Sequence, residues 1–125
     1  MSNILLSKNY LAAAAIAAFT VVKHAAADDQ VQAAASGADL VIGITQDLPA
    51  ALGERTDITK IGLTYATAGA AIARGSRLMS DALGRVIVAA AAAGTNVFTI
   101  GNAEEAATAA GDVIRVNVIP GTFQG

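Results

Sequence analysis

The chain has no cysteine and no tryptophan, one histidine, two prolines, two tyrosines and three phenylalanines among 125 residues. Without cysteine there is no disulfide framework, no thiolate metal site and no thiol nucleophile. His24 alone supplies neither a multi-histidine metal site nor a paired histidine for nucleophilic catalysis within one chain. Charge is scarce as well: 14% of residues are charged, with a net charge of -2 and a pI near 5.1, so the basic footprint of a nucleic-acid-binding domain is missing. The apolar run from Tyr10 to Val22 is too short for a membrane span, which needs about 20 residues. The expectation is a chain with no cofactor, no metal, no nucleic-acid partner and no membrane partner.

What is abundant is alanine. Hydrophobic residues make up 54% of the chain but aromatics only 4%. A buried Leu, Ile or Phe contributes roughly 1.5–3 kcal/mol and a methyl group under ~1 kcal/mol, so an alanine-rich core is thin for its length. A single domain of this kind gains from burying further surface against its own copies or a larger partner.

LAAAAIAAFTVVKHAAADD, residues 11–29, allows two readings. As a secretory signal, Lys8 would be the charged region, Tyr10 to Val22 the apolar region and Ala25 to Ala27 the cleavage site, which makes an exported small β-domain protein the alternative function. Lys23 and His24 interrupt that pattern. As part of a fold, Phe19, Val21 and Lys23 alternate with Thr20, Val22 and His24, and the Asp28–Asp29 turn leads into VQAAA, which predicts a hairpin. Leu11 to Ala18 stays open between a helical turn and an extended segment.

The chain carries an internal match. Residues 42–61 align with residues 100–119 without a gap: Ile42 with Ile100, Gly43 with Gly101, Ala51 with Ala109, Gly53 with Gly111, Ile61 with Ile119. Each copy reads as a short strand ending at glycine, where the chain must turn sharply, then an alanine-rich connection, an acid and an outgoing strand. Ile114, Val116 and Val118 alternate with polar residues as a half-buried strand does, and Leu40, Ile42 and Ile44 are expected to share one face in the same way. Residues 62–78 read as loop and strand, Asp81 to Gly84 as a turn feeding Val86 to Val88, and Ala89 to Gly94 as strand running into loop. A helix of at most two turns is predicted over Glu104–Ala110, capped by Asn102 and stopped by Gly111.

No catalytic constellation emerges. The phosphate-loop, dinucleotide, nucleophile-elbow and calcium-loop patterns are all absent. The pairs Asp28–Asp29 and Glu104–Glu105 are read as solvated or capping carboxylates, and Arg74 and Arg77 in RGSR as a solvated edge or an inter-subunit contact. The reading is therefore of a protein that is not an enzyme.

The order AIAAFTVVKHAAADDQVQAAASGADLVIGIT, then AGAAIARGSRLMSDALGRVIVA, then IGNAEEAATAAGDVIRVNV resembles the capsid cement, or head decoration, family of tailed bacteriophages, across Ala15 to Val118. The carrying features are a strand ending in lysine, a strand closing on I-G-I, a G-x-A-I-x-x-G-x-x-L step, D-x-x-G-R-V, and a final G-x-A-x-E-A-A-x-x-G-D-x-I-x-V strand. Asn102 departs from the small or aliphatic residue usual after that glycine. The resemblance implies a mainly β single domain that binds the outside of the capsid and stabilises the expanded head, with the major capsid protein and its own copies as partners, usually in a homotrimer. The protein would be made in the host bacterial cytoplasm and reside on the virion surface. The expected architecture is a small β-barrel or β-sandwich-like, tulip-like fold with at most one or two short helices. Its parts are an extended N-terminal arm at 1–14, a β-rich domain at 15–119 and a tail at 120–125. Capsid or inter-subunit contacts are expected at Ile4, Leu5, Leu6, Tyr10, Arg74 and Arg77. The arm is expected to lie on the capsid or an adjacent subunit, so that deleting residues 1–10 would weaken binding and leave the fold.

Overall fold

A computed structural model describes residues 3–124. They form nine strands and no helix: β1 (Asn3–Ala12), β2 (Val21–His24), β3 (Gln30–Ala33), β4 (Val41–Thr45), β5 (Arg55–Thr67), β6 (Arg77–Ser80), β7 (Val86–Val88), β8 (Asn96–Ala103) and β9 (Val113–Gln124). The mainly β expectation is met by one nine-stranded sheet in the order β1-β3-β2-β4-β5-β9-β8-β6-β7. The sheet is not a closed barrel, although β1 also pairs with β5 and so links the first five strands in a ring.

The thirteen-residue β5 organises the sheet. Ile58 and Thr59 pair with β1 on one side and β4 on the other, and Gly62 and Leu63 pair with β1 on one side and β9 on the other. One edge of β5 therefore carries β1, and the opposite edge carries β4 and then β9. Gly62 is no break in this strand: its bare Cα admits the backbone of Asn3 to Leu5, where β1 bulges at Leu5. Residues 62–67 thus extend a continuous strand, where the glycine suggested loop.

Two apolar clusters lie on either side of β2 and β4. Val21, Val41, Ile44, Leu78, Val86, Ile100 and Ile114 belong to the larger, and Tyr10, Ile16, Val22, Val31, Ile42 and Ile58 to the smaller. Successive valines of β2 point into different clusters, so this wall is buried on both faces, and all five residues of β4 are buried. The expected single face for Leu40, Ile42 and Ile44 does not hold. Val22 pairs with Gly43 and Lys23 with Val41, so a bulge at Ile42 turns that side chain into the small cluster while Ile44 enters the large one; Leu40 is exposed.

The Asp28–Asp29 hairpin forms as β2–β3, with Asp29 at φ 60°, and the Asp81–Gly84 turn forms as β6–β7. In the second turn one Asp81 oxygen accepts from Leu83 N and Arg85 N, replacing the bonds a longer ladder would give. The helix expected at Glu104–Ala110 is absent. Ala107 forms a two-way backbone bridge with Ile72, and Asn102 is part of β8, so alanine's helix propensity yields to sheet pairing.

Both chain ends are strands. Asn3–Ala12 is extended as expected, but it is hydrogen-bonded to β5 from Asn3↔Leu63 to Leu11↔Arg55 and is part of the folded sheet. Deleting residues 1–10 would remove this strand and the buried Tyr10, so it does not leave the fold intact. In the segment expected as a C-terminal tail, residues 120–124 continue β9 and residues 121–124 pair with β8; Gly125, like Met1 and Ser2, lies outside the described residues. A cut after Ala27 would take β1 and β2 out of the sheet, together with Tyr10, Ala12, Ile16 and Val22 of the small cluster.

The link between β3 and β4 is held by Asp39, whose carboxylate accepts from Ala35 N at 2.8 Å and pairs with Lys23 at 3.1 Å. The Ala35 amide and then Lys23 keep this carboxyl below its ordinary 3.8, against the opposing effect of burial. A depressed carboxyl stabilises the fold above the unfolded value and loses that contribution as pH falls through the folded one. Asp39→Asn is therefore expected to be destabilising at pH 7, with the deficit shrinking as pH drops below 3.8. Urea midpoints of both chains from pH 7 to pH 3 measure this.

Candidate docking surface

β1, β5 and β9 lie side by side, and their register places apolar residues next to one another. Leu6 pairs with Ile61, the neighbour of Gly62, which pairs with Val118 beside Ile119. Leu6, Ile61 and Ile119 are 48%, 42% and 55% exposed, so three strands present one apolar row outward. Leu6 and Ile61 of this row, with Val41, Ile42, Lys60 and Pro120, line a shallow depression of about 270 Å³. Pro120 is tolerated because it falls at the irregularity between Thr99↔Gly121 and Gly101↔Val118, where the β8–β9 ladder is interrupted.

Of the expected contact residues, Leu5 and Leu6 are on the surface, Leu5 at 77% exposure. The bulge at Leu5 separates Ile4 from Leu6: Ile4 lines a different hollow with Phe19, Gln46, Thr64 and Tyr65. Tyr10 is 3% exposed and is a core residue. Its ring meets His24 edge-on, Lys8 Nζ stands 4.1 Å from the ring centre, and its hydroxyl accepts from Lys60 Nζ at 2.9 Å. The isolated aromatic in an alanine-rich stretch is used to fill the small cluster, so a surface role at Tyr10 is corrected to a packing one. Arg74 and Arg77 are exposed on the β6–β8 side, with Arg77 opposite Asn102. Among the described residues no hydrogen bond or ion pair joins either arginine to the apolar row. Ile61, Ile119 and Pro120 were missed, although Ile61 and Ile119 occupy matching positions in the internal alignment.

Glu105 and Asp112 hold backbone amides, and Asp29 holds a lysine. Glu105 accepts from Arg115 N at 2.7 Å, Asp29 pairs with Lys8 at 2.8 Å, and Asp112 accepts from Thr108 and Ala109, which holds it below its ordinary 3.8. Among the described residues no three His, Asp or Glu side chains converge as a metal site, and no helix is long and apolar enough to cross a membrane. The hollow of about 410 Å³ beside Asn9, Gln46 and Arg55 is open and gathers amides and charges without a nucleophile–base pair.

The fold is an all-β module with an outward apolar row on β1, β5 and β9. The sequence matches the phage cement protein family over residues 6–118, and the chain belongs to that family, whose members are structural proteins of the phage capsid. The base of the head fiber gp8.5 of bacteriophage phi29 has a similar fold: its crystal structure superposes with a TM-score of 0.70 at 17% identity, covering 91% of this chain and 93% of that one. No curated protein matches.

Proposed function

We propose that this protein binds the outer surface of a phage head and cements the expanded shell by contact, without catalysis. Its partner in this reading is the major capsid protein, and it acts as a homotrimer made in the host cytoplasm. The supporting observation is the apolar row of Leu6, Ile61 and Ile119, outward on a member of the cement family. An alanine-rich domain that leaves three large aliphatic residues in one exposed row gains stability when a partner covers them. Many copies on a repeating lattice also multiply weak single contacts.

The test mixes purified protein with undecorated heads and images them by cryo-electron microscopy, alongside the solution mass of the free protein. Stoichiometric density on the outer surface is expected; bare heads would overturn the reading. The doubly substituted chain Leu6→Thr, Ile61→Thr, which keeps strand-forming residues at this uncharged cross-strand pair, is expected to keep its fold and bind heads roughly thirty-fold more weakly, the equivalent of about 2 kcal/mol. Unchanged occupancy would move the docking surface elsewhere.

A further inference from the structure

Lys60 is a half-buried cation without an acidic partner. Lys8 pairs with Asp29 at 2.8 Å, Lys23 with Asp39 at 3.1 Å and Arg85 with Asp81 at 2.9 Å. Among the described residues no carboxylate pairs with Lys60, whose ammonium donates instead to the neutral Tyr10 hydroxyl at 2.9 Å. An ammonium carries three N–H donors, and the described residues occupy one of them. Nothing else around Tyr10 supplies the missing charge. The Lys8 ammonium stands 4.1 Å from the centre of the same ring and that of Lys60 5.5 Å from it, while His24 meets the ring edge-on. The carboxylate of Asp29 is bonded to Lys8, so it balances that lysine and leaves Lys60 unmatched.

A second bulge puts Lys60 beside the apolar row. Leu6 and Ser7 are adjacent on β1, but their partners Ile61 and Thr59 are two apart on β5, so Lys60 is the extra residue. A bulge re-aims the side chain it inserts. Lys60 follows the buried Ile58 and Thr59 and precedes the exposed Ile61, and it is the one charged residue lining the depression, beside Leu6, Val41, Ile42, Ile61 and Pro120. The second half of the chain shows that the fold does not require a charge at this place. In the alignment of residues 42–61 with 100–119, Lys60 matches Val118, which is fully buried in the larger cluster, and Ile61 matches Ile119, which is exposed in the row. The same strand position is closed by a valine in one half and carries an ammonium in the other.

We propose that the surface docking on this row presents an aspartate or glutamate side chain to Lys60, set among apolar residues that cover Leu6 and Ile61. This deepens the head-binding reading and rests on it: the carboxylate belongs to the shell protein. Charge complementarity carries the assignment. A partner that covers Leu6, Ile61 and Pro120 also removes water from the depression that Lys60 lines, and an ammonium stripped of water without an opposite charge is strongly unfavourable. A carboxylate matches its remaining donors and offsets that desolvation. Swinging Lys60 away from the partner would instead break its bond to the hydroxyl of Tyr10, a residue only 3% exposed. The two kinds of contact then have different roles. The apolar row supplies area, which is indifferent to orientation, and the single charge fixes the register of the partner on it.

The test titrates undecorated heads with the full-length wild type and with Lys60→Met, Lys60→Gln, Lys60→Arg and Tyr10→Phe, each free chain being checked by circular dichroism and thermal melting. Methionine keeps an unbranched apolar side chain and removes the charge. Against a carboxylate, Lys60→Met leaves that group buried and unpaired, and binding is expected to weaken roughly thirty-fold or more. Against a surface that is apolar only, the same substitution leaves binding unchanged or tighter, which overturns the proposal. Lys60→Gln, neutral but polar, is expected to weaken binding as Lys60→Met does, so the test does not rest on one folded variant. Lys60→Arg keeps the charge and is expected to stay within about five-fold of the wild type. Tyr10→Phe keeps the ammonium and removes its internal hydrogen bond; it is expected to stay within about three-fold. A loss at Tyr10→Phe as large as at Lys60→Met would overturn the proposal by showing that the lysine acts through the fold. Added salt is expected to weaken the wild type more than Lys60→Met, and equal salt dependence would also overturn it. Bare heads with the wild type would overturn the head-binding reading and this inference with it, whereas normal wild-type occupancy with an unaffected Lys60→Met chain removes only the carboxylate.

Discussion

Gly101→Ala is expected to be the most damaging single methyl addition in this chain, lowering stability by roughly 3–5 kcal/mol out of the 5–15 kcal/mol typical of a domain. Gly101 lies in β8 between two partners, Leu78 of β6 and Val118 of β9. Its φ of 148° lies where L side chains are rarely found, and an added Cβ would overlap the backbone oxygen of Asn117. That oxygen has no room to retreat, because Asn117 pairs with Leu63 of β5 on its other side. Strain at this residue and a clash with fixed backbone therefore add, where a flexible side chain could have yielded. Gly94→Ala is the control: its φ is 77°, but an added Cβ meets nothing within 4 Å, so its cost is confined to backbone strain, about 1–2 kcal/mol. Gly43→Ala, at the matching position of the first half, would press on Thr59 O and Ile58 from an ordinary φ and is expected to fall between the two. Urea denaturation followed by far-ultraviolet circular dichroism ranks the three; equal losses at Gly101 and Gly94 would show that the crowding at Asn117 is relieved in solution.

These glycines also show how far the sequence could be read. Gly43 and Gly101 stand out because each falls at the same place in an aligned segment, and the structure uses both for the same purpose, the close approach of a neighbouring strand at Thr59 and Asn117. Turns were legible where one side chain does the work, as Asp81 does for Leu83 and Arg85. What was hidden depended on partners distant in sequence. Glu104–Ala110 has helical composition, and only the bridge from Ala107 to Ile72 decides against it. The sequence spacing puts Ile42 on the same face as Ile44, and only the bulge opposite β2 separates them. Tyr10 resembled a surface residue because its packing partners, Ile58 and Val31, are 48 and 21 positions away. The candidate surface was half legible for the same reason: Leu5 and Leu6 are conspicuous in the sequence, whereas Ile61 and Ile119 join them only through the β1–β5–β9 register.

Ile58→Ala is expected to cost about 3–4 kcal/mol and to lower the melting temperature by roughly 10–15 °C. Ile58 is fully buried in the smaller cluster and lies on the part of β5 that pairs with both β1 and β4. The cluster has few large members, and its two alanines, Ala12 and Ala50, are held by backbone bonds to Glu54 and Ile16, so the vacated volume cannot be refilled by small shifts. The damage should be local as well as global. β1 rests on the rest of the chain through β5, two residues of β3 and the packing of Tyr10 against this cluster, so its amides are expected to lose hydrogen-exchange protection before those of β8 and β9. Ile61→Ala, three residues further along the same strand and 42% exposed, is expected to cost under about 0.5 kcal/mol. The same amino acid thus has opposite importance at two places on one strand: Ile58 holds β1 to the domain, and Ile61 is left for a partner. Similar losses at both positions, or uniform exchange across all nine strands of Ile58→Ala, would mean that β1 is not the least anchored part of the sheet.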